Sequence, residues 1–234
     1  MRIAAIIPTK GDVPEAVERV VSSLPLGLNI DPWVMWWQSP IWRDAAARQR
    51  MAATCIPVCN GRWAGVGLAY REGFARVVAS GLYSHVLMYD GDGDMDPRAI
   101  PEMIDAARDG YDLVVASRWA KGGGFRGYEP RKLAVNFLGN LAFKLALRTN
   151  LRDLTFGFKL LAVPLLSRLV LEEEGHGIYA ETTMLPVAMG ARCAEVPTVW
   201  RGRREGVATL GVQSAARTYL RVGLRALRLS CAST

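Results

Sequence analysis

The sequence predicts an α/β fold in which helices flank a mostly parallel sheet. Short apolar segments typical of buried strands alternate with longer segments whose apolar residues recur at helical spacing. When strand and helix alternate in this way, the helices form crossovers between parallel strands. Half of the 234 residues are hydrophobic, which is enough for the core of one substantial domain.

Each element follows from a local pattern. The predicted strands are apolar runs, and they span residues 3–7, 32–37, 84–89, 113–116 and 194–200. The predicted helices have apolar residues three or four positions apart, and they span residues 13–24, 65–80, 97–108, 131–148 and 215–229. The glycines at 122–124 predict a flexible loop. We therefore expect one α/β domain over residues 1–211, followed by an amphipathic helix within residues 212–234.

Four aspartates follow the predicted strand 84–89, and their spacing is the strongest functional signal in the chain. Asp90, Asp92, Asp94 and Asp96 alternate with small or apolar residues. Alternate side chains of extended backbone point the same way, so several carboxylates would converge at the end of the strand. Several negative charges so near to one another are energetically costly unless a cation neutralises them. Oxygen ligands suit Mg²⁺ or Mn²⁺, and this edge of an α/β sheet is where phosphorylated ligands usually bind.

The residues around the aspartates restrict the other interpretations of the acidic run. An EF-hand loop is excluded, because Met95 stands where that loop needs Gly and Pro101 where it needs Glu. Asp96 precedes Pro97, as expected of an N-cap followed by Pro at the first helical position, so Asp96 is a cap, a ligand or both. A solvated acidic turn is the alternative for the other three aspartates.

The net charge of +7 predicts an anionic partner, such as a nucleotide, a phosphate or an anionic membrane surface. Nucleic acid is not a predicted partner, because the basic residues are spread along the chain without a recognition motif. The four cysteines are too few for a disulfide scaffold and lack the neighbours of a zinc site, which suits the reducing cytoplasm. No apolar stretch is long enough for a signal peptide or a membrane span.

The C-terminal helix has a basic face and an apolar face. Arg217, Arg221, Arg225 and Arg228 fall on one side, and leucines at 220, 224 and 227 lie on another. A basic amphipathic helix of this type lies on an anionic bilayer surface. The alternative is an ordinary surface helix that docks on the domain and leaves its arginines solvated.

Several segments, in order along nearly the whole chain, resemble one family. They are Ile-Ile-Pro-Thr-Lys-Gly-Asp at 6–12, the aspartates with Pro97, Asp-Leu-Val-Val-Ala-Ser-Arg-Trp at 112–119 with the glycines and Arg131-Lys132-Leu133, and Arg-Asp-Leu-Thr-Phe-Gly-Phe-Lys at 152–159. Glu-Val-Pro at 195–197 and Arg-Arg-Glu-Gly at 203–206 add a weaker match. Together they resemble inverting family-2 glycosyltransferases of the GT-A fold, in particular dolichol- and polyprenol-phosphate mannose synthases.

The resemblance implies roles for individual residues. Asp92, Arg118 and Arg131 would be catalytic, and Asp90, Asp92 and Asp94 would hold Mg²⁺ or Mn²⁺. The nucleotide sugar would be bound by Pro8, Thr9, Lys10, Asp12, Asp90, Gly91, Asp92, Arg118 and Arg203. Metal and arginine placed at the leaving phosphate stabilise the charge that forms there. A lipid phosphate acceptor is already ionised, so no catalytic histidine is needed, and His85 and His176 are expected to be structural.

The sequence departs from the family at three places. The relatives' Asp-Asp-x-Ser-Pro is replaced by Trp36-Trp37-Gln38-Ser39-Pro40, so either an aromatic ring stacks on the base or both tryptophans are core or interface residues. Lys10 replaces a tyrosine of the first motif. The family's Gly-x-Ser-Lys appears as Gly-Val-Ala-Thr at 206–209, and the arginines at 201, 203 and 204 are expected to compensate for the missing lysine.

The resulting hypothesis is a metal-dependent, inverting transfer of a hexose, mannose from GDP-mannose, to a polyprenyl phosphate. The expected partners are the nucleotide sugar, the lipid phosphate, a membrane surface touched peripherally at its cytoplasmic face, and a membrane protein. Two alternatives stay open: the same fold acting on a soluble acceptor, or a non-catalytic relative that binds a nucleotide.

Overall fold

A seven-stranded sheet forms the centre of this computed structural model, which describes residues 1–9, 14–37, 56–60, 65–202 and 212–232. The strands in chain order are β1 (Ile3–Thr9), β2 (Ile30–Trp37), β3 (Ile56–Asn60), β4 (His85–Met88), β5 (Leu113–Ser117), β6 (Gly124–Arg126), β7 (Lys159–Ala162), β8 (Cys193–Pro197) and β9 (Val199–Arg201). The sheet order is β3-β2-β1-β4-β7-β5-β8, while β6 and β9 form a separate parallel pair.

The helices are α1 (Pro14–Ser22), α2 (Val66–Ser80), α3 (Ile100–Arg108), α4 (Pro130–Ala146), α5 (Val163–Leu166), α6 (Gly177–Ala188) and α7 (Val212–Ala232), and a 3₁₀ turn spans Pro97–Ala99. Helices cover both faces of the sheet. Along β1, Ile3, Ala5 and Ile7 lie in the core layer that contains α1 and α3, whereas Ala4 and Ile6 lie in the layer that contains α2. Burial on both faces is typical of a parallel strand. The predicted helix-flanked, mostly parallel sheet is confirmed.

Strand β7 was not predicted from the sequence, and it is antiparallel to both of its neighbours. Leu160 pairs with Leu87 of β4 on one side and with Val114 of β5 on the other. The strand has only four residues, and an apolar run this short does not distinguish strand from buried helix. As a result β4 and β5, which are successive parallel strands in the chain, do not touch each other in the sheet order.

The segment predicted as one strand over residues 194–200 forms two. β8 pairs with β5 and ends at Pro197, while β9 begins at Val199 and pairs with β6. Between them, Thr198 donates its backbone N–H to the carbonyl of Ser117 and accepts from the N–H of Gly124. Pro197 has no N–H to continue a ladder, so the chain leaves the large sheet here. Gly124 consequently belongs to a strand rather than to the predicted loop.

The C-terminal helix α7 is docked on the domain. Val222 and Ala226 are buried in an apolar cluster with residues of α6. Gly223 lies against the ring of Phe143 in α4 so closely that a Cβ at this position would overlap it. Division of the chain at residue 211 stays a prediction. Among the described residues, no helix is both long and apolar enough to cross a bilayer.

Candidate functional site

The acidic loop, residues 90–96, lies beside the carboxyl end of β1. The backbone N–H of Tyr89 donates to the carbonyl of Ile6, which continues the pairing of β4 with β1. Gly91 is buried, and a Cβ there would lie 3.0 Å from the Pro8 carbonyl oxygen and 3.1 Å from Cγ2 of Thr9. Glycine at this position therefore lets the loop approach the strand closely. The structure brings together Pro8, Thr9 and Gly91, as the resemblance implied.

Two tyrosines, the buried Tyr70 and the half-buried Tyr179, hold the carboxylate of Asp90. Tyr70 in α2 donates its hydroxyl to Oδ1 at 2.6 Å, and Tyr179 in α6 donates to Oδ2 at 2.8 Å. Burial and the charge of Asp90 raise the pKa of both hydroxyls well above the usual value, so both stay protonated and act as donors. Asp90 is thus fixed in orientation by two helices that lie on the same side of the sheet.

Asp94 is a buried carboxylate of the loop. Its Oδ2 accepts a hydrogen bond from Nε1 of Trp200 at 2.6 Å, and its backbone N–H donates to Oδ1 of Asp92 at 3.3 Å. Its other carboxylate oxygen, Oδ1, is buried and has no hydrogen-bond partner among the described residues. Burial, and then the charges of Asp92 and Asp90, raise the pKa of Asp94 well above the usual value for a carboxyl. Such a carboxylate is costly in the ionised form unless a cation accompanies it.

The donor set fits a divalent cation that also binds a ligand. The described residues contain no cluster of three side chains placed to hold a metal on their own, so the predicted three-aspartate ligand set is not assembled by these residues alone. Mg²⁺ is usually held by one or two carboxylates together with substrate phosphates. Asp94 Oδ1 and the neighbouring carboxylate of Asp92 match that pattern. Their role as metal ligands stays a prediction.

Asp96 is a helix cap, as its position before Pro97 predicted. Its side chain accepts from the backbone N–H of Arg98 at 3.2 Å, with Pro97 in the first turn. The Arg98 guanidinium also bonds to it, and Arg201 of β9 approaches Oδ2 at 3.4 Å. The hydrogen bond from Arg98 is the largest cause that lowers the pKa of Asp96.

Strand β9 closes over the acidic loop. Besides the Trp200 side chain, the backbone N–H of Arg201 donates to the carbonyl of Asp94 at 3.2 Å. Trp200 also begins a row of aromatic rings, with centroid separations of 5.0 Å to Tyr128, then 5.1 Å to Phe125 and 4.7 Å to Trp119. The small sheet of β6 and β9 is therefore tied both to the carboxylates and to a strip of aromatic surface.

Arg118, predicted to face a phosphate, is buried in an ion pair. Its backbone N–H and Nε donate to Oδ2 of Asp153 at 3.0 and 2.7 Å, and its Nη2 donates to Oδ1 at 2.9 Å. The guanidinium carbon lies 4.3 Å from the ring centroid of Phe156 and 5.1 Å from that of Phe125. The edge of the guanidinium formed by Nε and Nη2 is thus bonded to Asp153, and the guanidinium also lies over phenylalanine rings. Contact of Arg118 with a phosphate stays a prediction.

The remaining predicted residues have different positions. Arg131 is exposed in the first turn of α4, and no ion pair joins it to another described residue. The backbone of Trp36 and Trp37 lies in β2. Outside the described residues lie Lys10, Asp12, Gln38, Arg203 and the 206–209 segment.

Lys159 is a buried cation that the sequence analysis did not single out. Its Nζ donates to the carbonyl of Tyr179 and to the hydroxyls of Thr182 and Thr183. Burial lowers the pKa of Lys159 to about 7. Lys159 thereby connects β7 to the turn of α6 that carries the tyrosine hydrogen-bonded to Asp90.

Sequence reasoning missed Tyr70, Tyr179 and Trp200 as site residues. Each reaches the acidic loop from an element distant in sequence, so no local spacing reveals the contact. Tyr70 and Tyr179 also contact each other edge to face, with ring centroids 6.2 Å apart. A tyrosine within an apolar helix is normally interpreted as a core residue, and these two are core residues with polar ends in the site.

Known proteins resemble this chain in sequence and in fold. The model of a family described as Glycosyl transferase family 2 matches residues 50–170, just over half of the chain. An undecaprenyl-phosphate mannosyltransferase from Micrococcus luteus is 27% identical over 216 residues, which cover 88% of this chain and 86% of that protein. A polyprenol monophosphomannose synthase from Mycolicibacterium smegmatis is 28% identical over 63% of this chain and 56% of its own length.

A solved structure shows the same fold. Glucosyl-3-phosphoglycerate synthase from Mycobacterium tuberculosis, in complex with Mn²⁺, UDP-glucose and phosphoglyceric acid, superposes with a TM-score of 0.70. The superposition covers 97% of this chain and 80% of that one, at 17% identity. The prediction of a GT-A fold is confirmed.

Proposed function

Because the chain belongs to glycosyl transferase family 2 and is a glycosyltransferase, we propose that it transfers a hexose from a nucleotide sugar to a polyprenyl phosphate. The observation that carries the proposal is the acidic loop, in which one buried carboxylate oxygen of Asp94, beside Asp92, has no hydrogen-bond partner in the part of the chain that the structure describes. A divalent cation and the diphosphate of a nucleotide sugar would complete that arrangement. The proposed donor is GDP-mannose. Transfer of mannose is supported by the two relatives named above, a mannosyltransferase and a phosphomannose synthase.

The chemistry follows from the charges at the loop. Asp92 and Asp94 would hold Mg²⁺ or Mn²⁺, which supplies positive charge to the diphosphate that leaves the sugar. Tyr70 and Tyr179 orient Asp90, and Trp200 orients Asp94, so the carboxylates are positioned before the donor binds. Pro8 and Thr9 border the loop where the nucleoside would lie.

The acceptor needs no strong general base. A lipid monophosphate carries its negative charge at neutral pH, and its oxygen can attack the sugar carbon directly. A single displacement of this kind inverts the configuration at that carbon, which makes the proposed transfer an inverting one. Arg118 and Arg131 remain the proposed phosphate contacts. For Arg118, this contact requires its bond to Asp153 to rearrange.

The test is a transfer assay with the full chain, a polyprenyl phosphate and labelled GDP-mannose, with UDP-glucose in parallel. Label is measured in the organic phase with Mg²⁺, with Mn²⁺ and with a chelator. Metal-dependent lipid label from GDP-mannose is the expected result. Label from UDP-glucose alone would replace the donor, and label in water-soluble product alone would replace the acceptor.

Variants connect the assay to the site. Asp94→Asn keeps the shape of the side chain but removes its charge, so transfer should fall by at least a hundredfold, in the range seen when a group that stabilises transition-state charge is lost. Asp109→Asn is the matched control, because Asp109 is an exposed carboxylate after α3, away from the loop. Equal activity of the two variants would overturn the assignment of the loop as the donor site.

A further inference from the structure

Helix α4 buries an asparagine and leaves most of its large apolar side chains exposed. Asn140 is the one buried residue among its 17. The exposed fractions are 48% for Val135, 61% for Leu138, 40% for Leu141 and 67% for Leu145. A surface helix of a globular protein normally has the opposite arrangement. Contiguous exposed apolar surface of this kind marks a site of contact with a protein or a membrane.

The inner face of α4 is held by hydrogen bonds, so the helix cannot simply rotate its leucines inward. The side chain of Asn140 accepts from the backbone N–H of Leu154 at 2.7 Å and donates to Thr155 Oγ1 at 3.3 Å. Asn136 accepts from Nε1 of Trp119 at 3.0 Å and donates to the same threonine oxygen. Rotation would leave these polar groups unpaired, at a cost of about 1–3 kcal/mol for each buried one. The apolar face is therefore fixed outward.

The charge around this face is positive. Residues 129–150 contain four basic residues, Arg131, Lys132, Lys144 and Arg148, and one acidic residue, Glu129, which forms an ion pair with Lys132 at 3.0 Å. The basic residues stand toward the two ends of α4, with the leucines between them. Apolar side chains flanked by Lys and Arg are the pattern of a helix that lies in the interface of an anionic bilayer.

The sequence predicted membrane contact for helix α7. In the structure, part of the basic face of α7 forms ion pairs within the protein. Arg221 forms an ion pair with Glu173 at 2.7 Å, and Arg225 forms one with Glu181 and another with Glu172 at 3.3 Å. These arginines dock α7 on the protein rather than present free charge. Leu220 and Leu224 of α7 are nevertheless exposed, next to the residue that contacts α4.

We propose that α4 is the face by which this protein lies on an anionic lipid bilayer, with Leu138, Leu141 and Leu145 inserted among the lipids. The aromatic row described above connects this face to the catalytic loop, because the ring of Trp119 lies 5.1 Å from that of Phe137 in α4. Tryptophan and tyrosine favour the level of the lipid headgroups. Membrane binding itself does not depend on the proposed function. One consequence of membrane binding rests on the proposed function: the loop with Asp94 would face a lipid phosphate rather than bulk water.

Vesicle flotation of the full chain tests the proposal. Vesicles contain either phosphatidylglycerol mixed with phosphatidylcholine or phosphatidylcholine alone. The protein should float with the anionic vesicles, and its binding should weaken as salt is added. Leu138→Gln combined with Leu145→Gln should lower the fraction bound at least tenfold. Leu26→Gln combined with Leu82→Gln is the control, because those leucines are 98% and 59% exposed on other parts of the surface.

Three outcomes would overturn the proposal. They are failure of the wild type to float, equal flotation of the two double variants, and conversion of a dimer into a monomer by the α4 variant without any vesicle binding. Circular dichroism confirms that the variants are folded. Transfer to a short-chain polyprenyl phosphate in detergent is measured in parallel: the α4 variant should keep that activity and lose transfer to acceptor in vesicles. If no transfer occurs in detergent, the proposed function fails while flotation still decides the membrane face.

Discussion

The hydroxyl of Tyr179 donates to Oδ2 of Asp90 across 2.8 Å and 89 residues of sequence. It joins α6, in the C-terminal half of the chain, to the acidic loop that follows β4. Tyr70 holds the other carboxylate oxygen from α2. The first aspartate of the loop is therefore oriented by the packed core rather than by the loop itself.

Removal of the Tyr179 hydroxyl should impair catalysis more than folding. In Tyr179→Phe, Asp90 loses one of its two tyrosine donors, so its orientation is less restricted. We expect kcat/KM to fall about tenfold, which corresponds to about 1.4 kcal/mol of transition-state stabilisation. The measurement is steady-state transfer with the nucleotide sugar varied, together with urea unfolding.

Tyr83→Phe provides the control for this prediction. Tyr83 is buried and likewise donates to an aspartate, Asp31 at 2.9 Å, at the start of β2. Both variants should lose about 1–2 kcal/mol of unfolding free energy, the cost of a hydrogen bond to a charged group. Only Tyr179→Phe should lose activity. Equal activity losses would show that Tyr179 acts through general stability.

Trp200→Phe should weaken metal dependence. The substitution keeps an aromatic ring beside Tyr128 but removes the N–H that donates to Asp94, so neither oxygen of this buried carboxylate has a side-chain donor among the described residues. The concentration of Mn²⁺ at half-maximal activity should rise about tenfold, in the range reported when a partner that orients a metal ligand is removed. Trp33→Phe, which removes a comparable bond to Tyr83, should leave the Mn²⁺ titration unchanged.

Asp153→Ala should destabilise the protein severely. Removal of one partner leaves the Arg118 guanidinium buried without its counter-ion, and breaking a buried pair costs about 3–5 kcal/mol. Urea unfolding of this variant should be compared with that of Arg118→Met combined with Asp153→Leu, which removes both charges. The double variant should be the more stable of the two. If the single variant is as stable as wild type, Arg118 has another anionic partner.

Lys159 should make stability depend on pH. Because its pKa in the folded protein, about 7, lies below the ordinary value of 10.5, the unfolded chain binds more protons between these values. The free energy of unfolding contributed by Lys159 therefore rises with pH across that interval. Between pH 7 and pH 9 the rise should be about 2 kcal/mol for one proton.

Lys159→Met isolates this contribution, because methionine fills similar space without titrating. Unfolding free energies of wild type and variant should be measured at pH 7, 8 and 9. The difference between them should change by the amount above, since the tyrosines and Cys193 that titrate at higher pH are common to both proteins. Parallel curves would mean that Lys159 keeps its proton when the protein is folded.

Local sequence patterns predicted the structural features that depend on residues close together in the chain. The Asp96 cap, the buried strand β1 and the strand that leads to the acidic loop were predicted because each depends on residues adjacent in the chain. The partners of Asp90 and Asp94 were not, since they come from α2, α6 and β9. Strand β7 was missed because its four residues, Lys-Leu-Leu-Ala, are too few to show a period.

The structure places Gly91 of the acidic loop beside Pro8 and Thr9, which the resemblance assigned to the same site. The resemblance also implied that Arg118 faces a phosphate, whereas the structure pairs its guanidinium with Asp153. The ion pair of Arg118 depends on Asp153 and on two phenylalanine rings that no spacing rule connects. The outward leucines of α4 were likewise hidden, because an apolar helix in a sequence is normally interpreted as buried.

The position of β7 also determines when the sheet can form during synthesis of the chain. Since it is wedged between β4 and β5, the two halves of the sheet are not joined until residue 162 has left the ribosome. A nascent chain that ends earlier has β4 with an unpaired edge, which is a template for wrong pairing. The loop that carries the aspartates is synthesised early, whereas Tyr179 and Trp200 are synthesised only after β7. Fragments that contain the aspartates but end before these residues are therefore expected to be inactive and prone to aggregation.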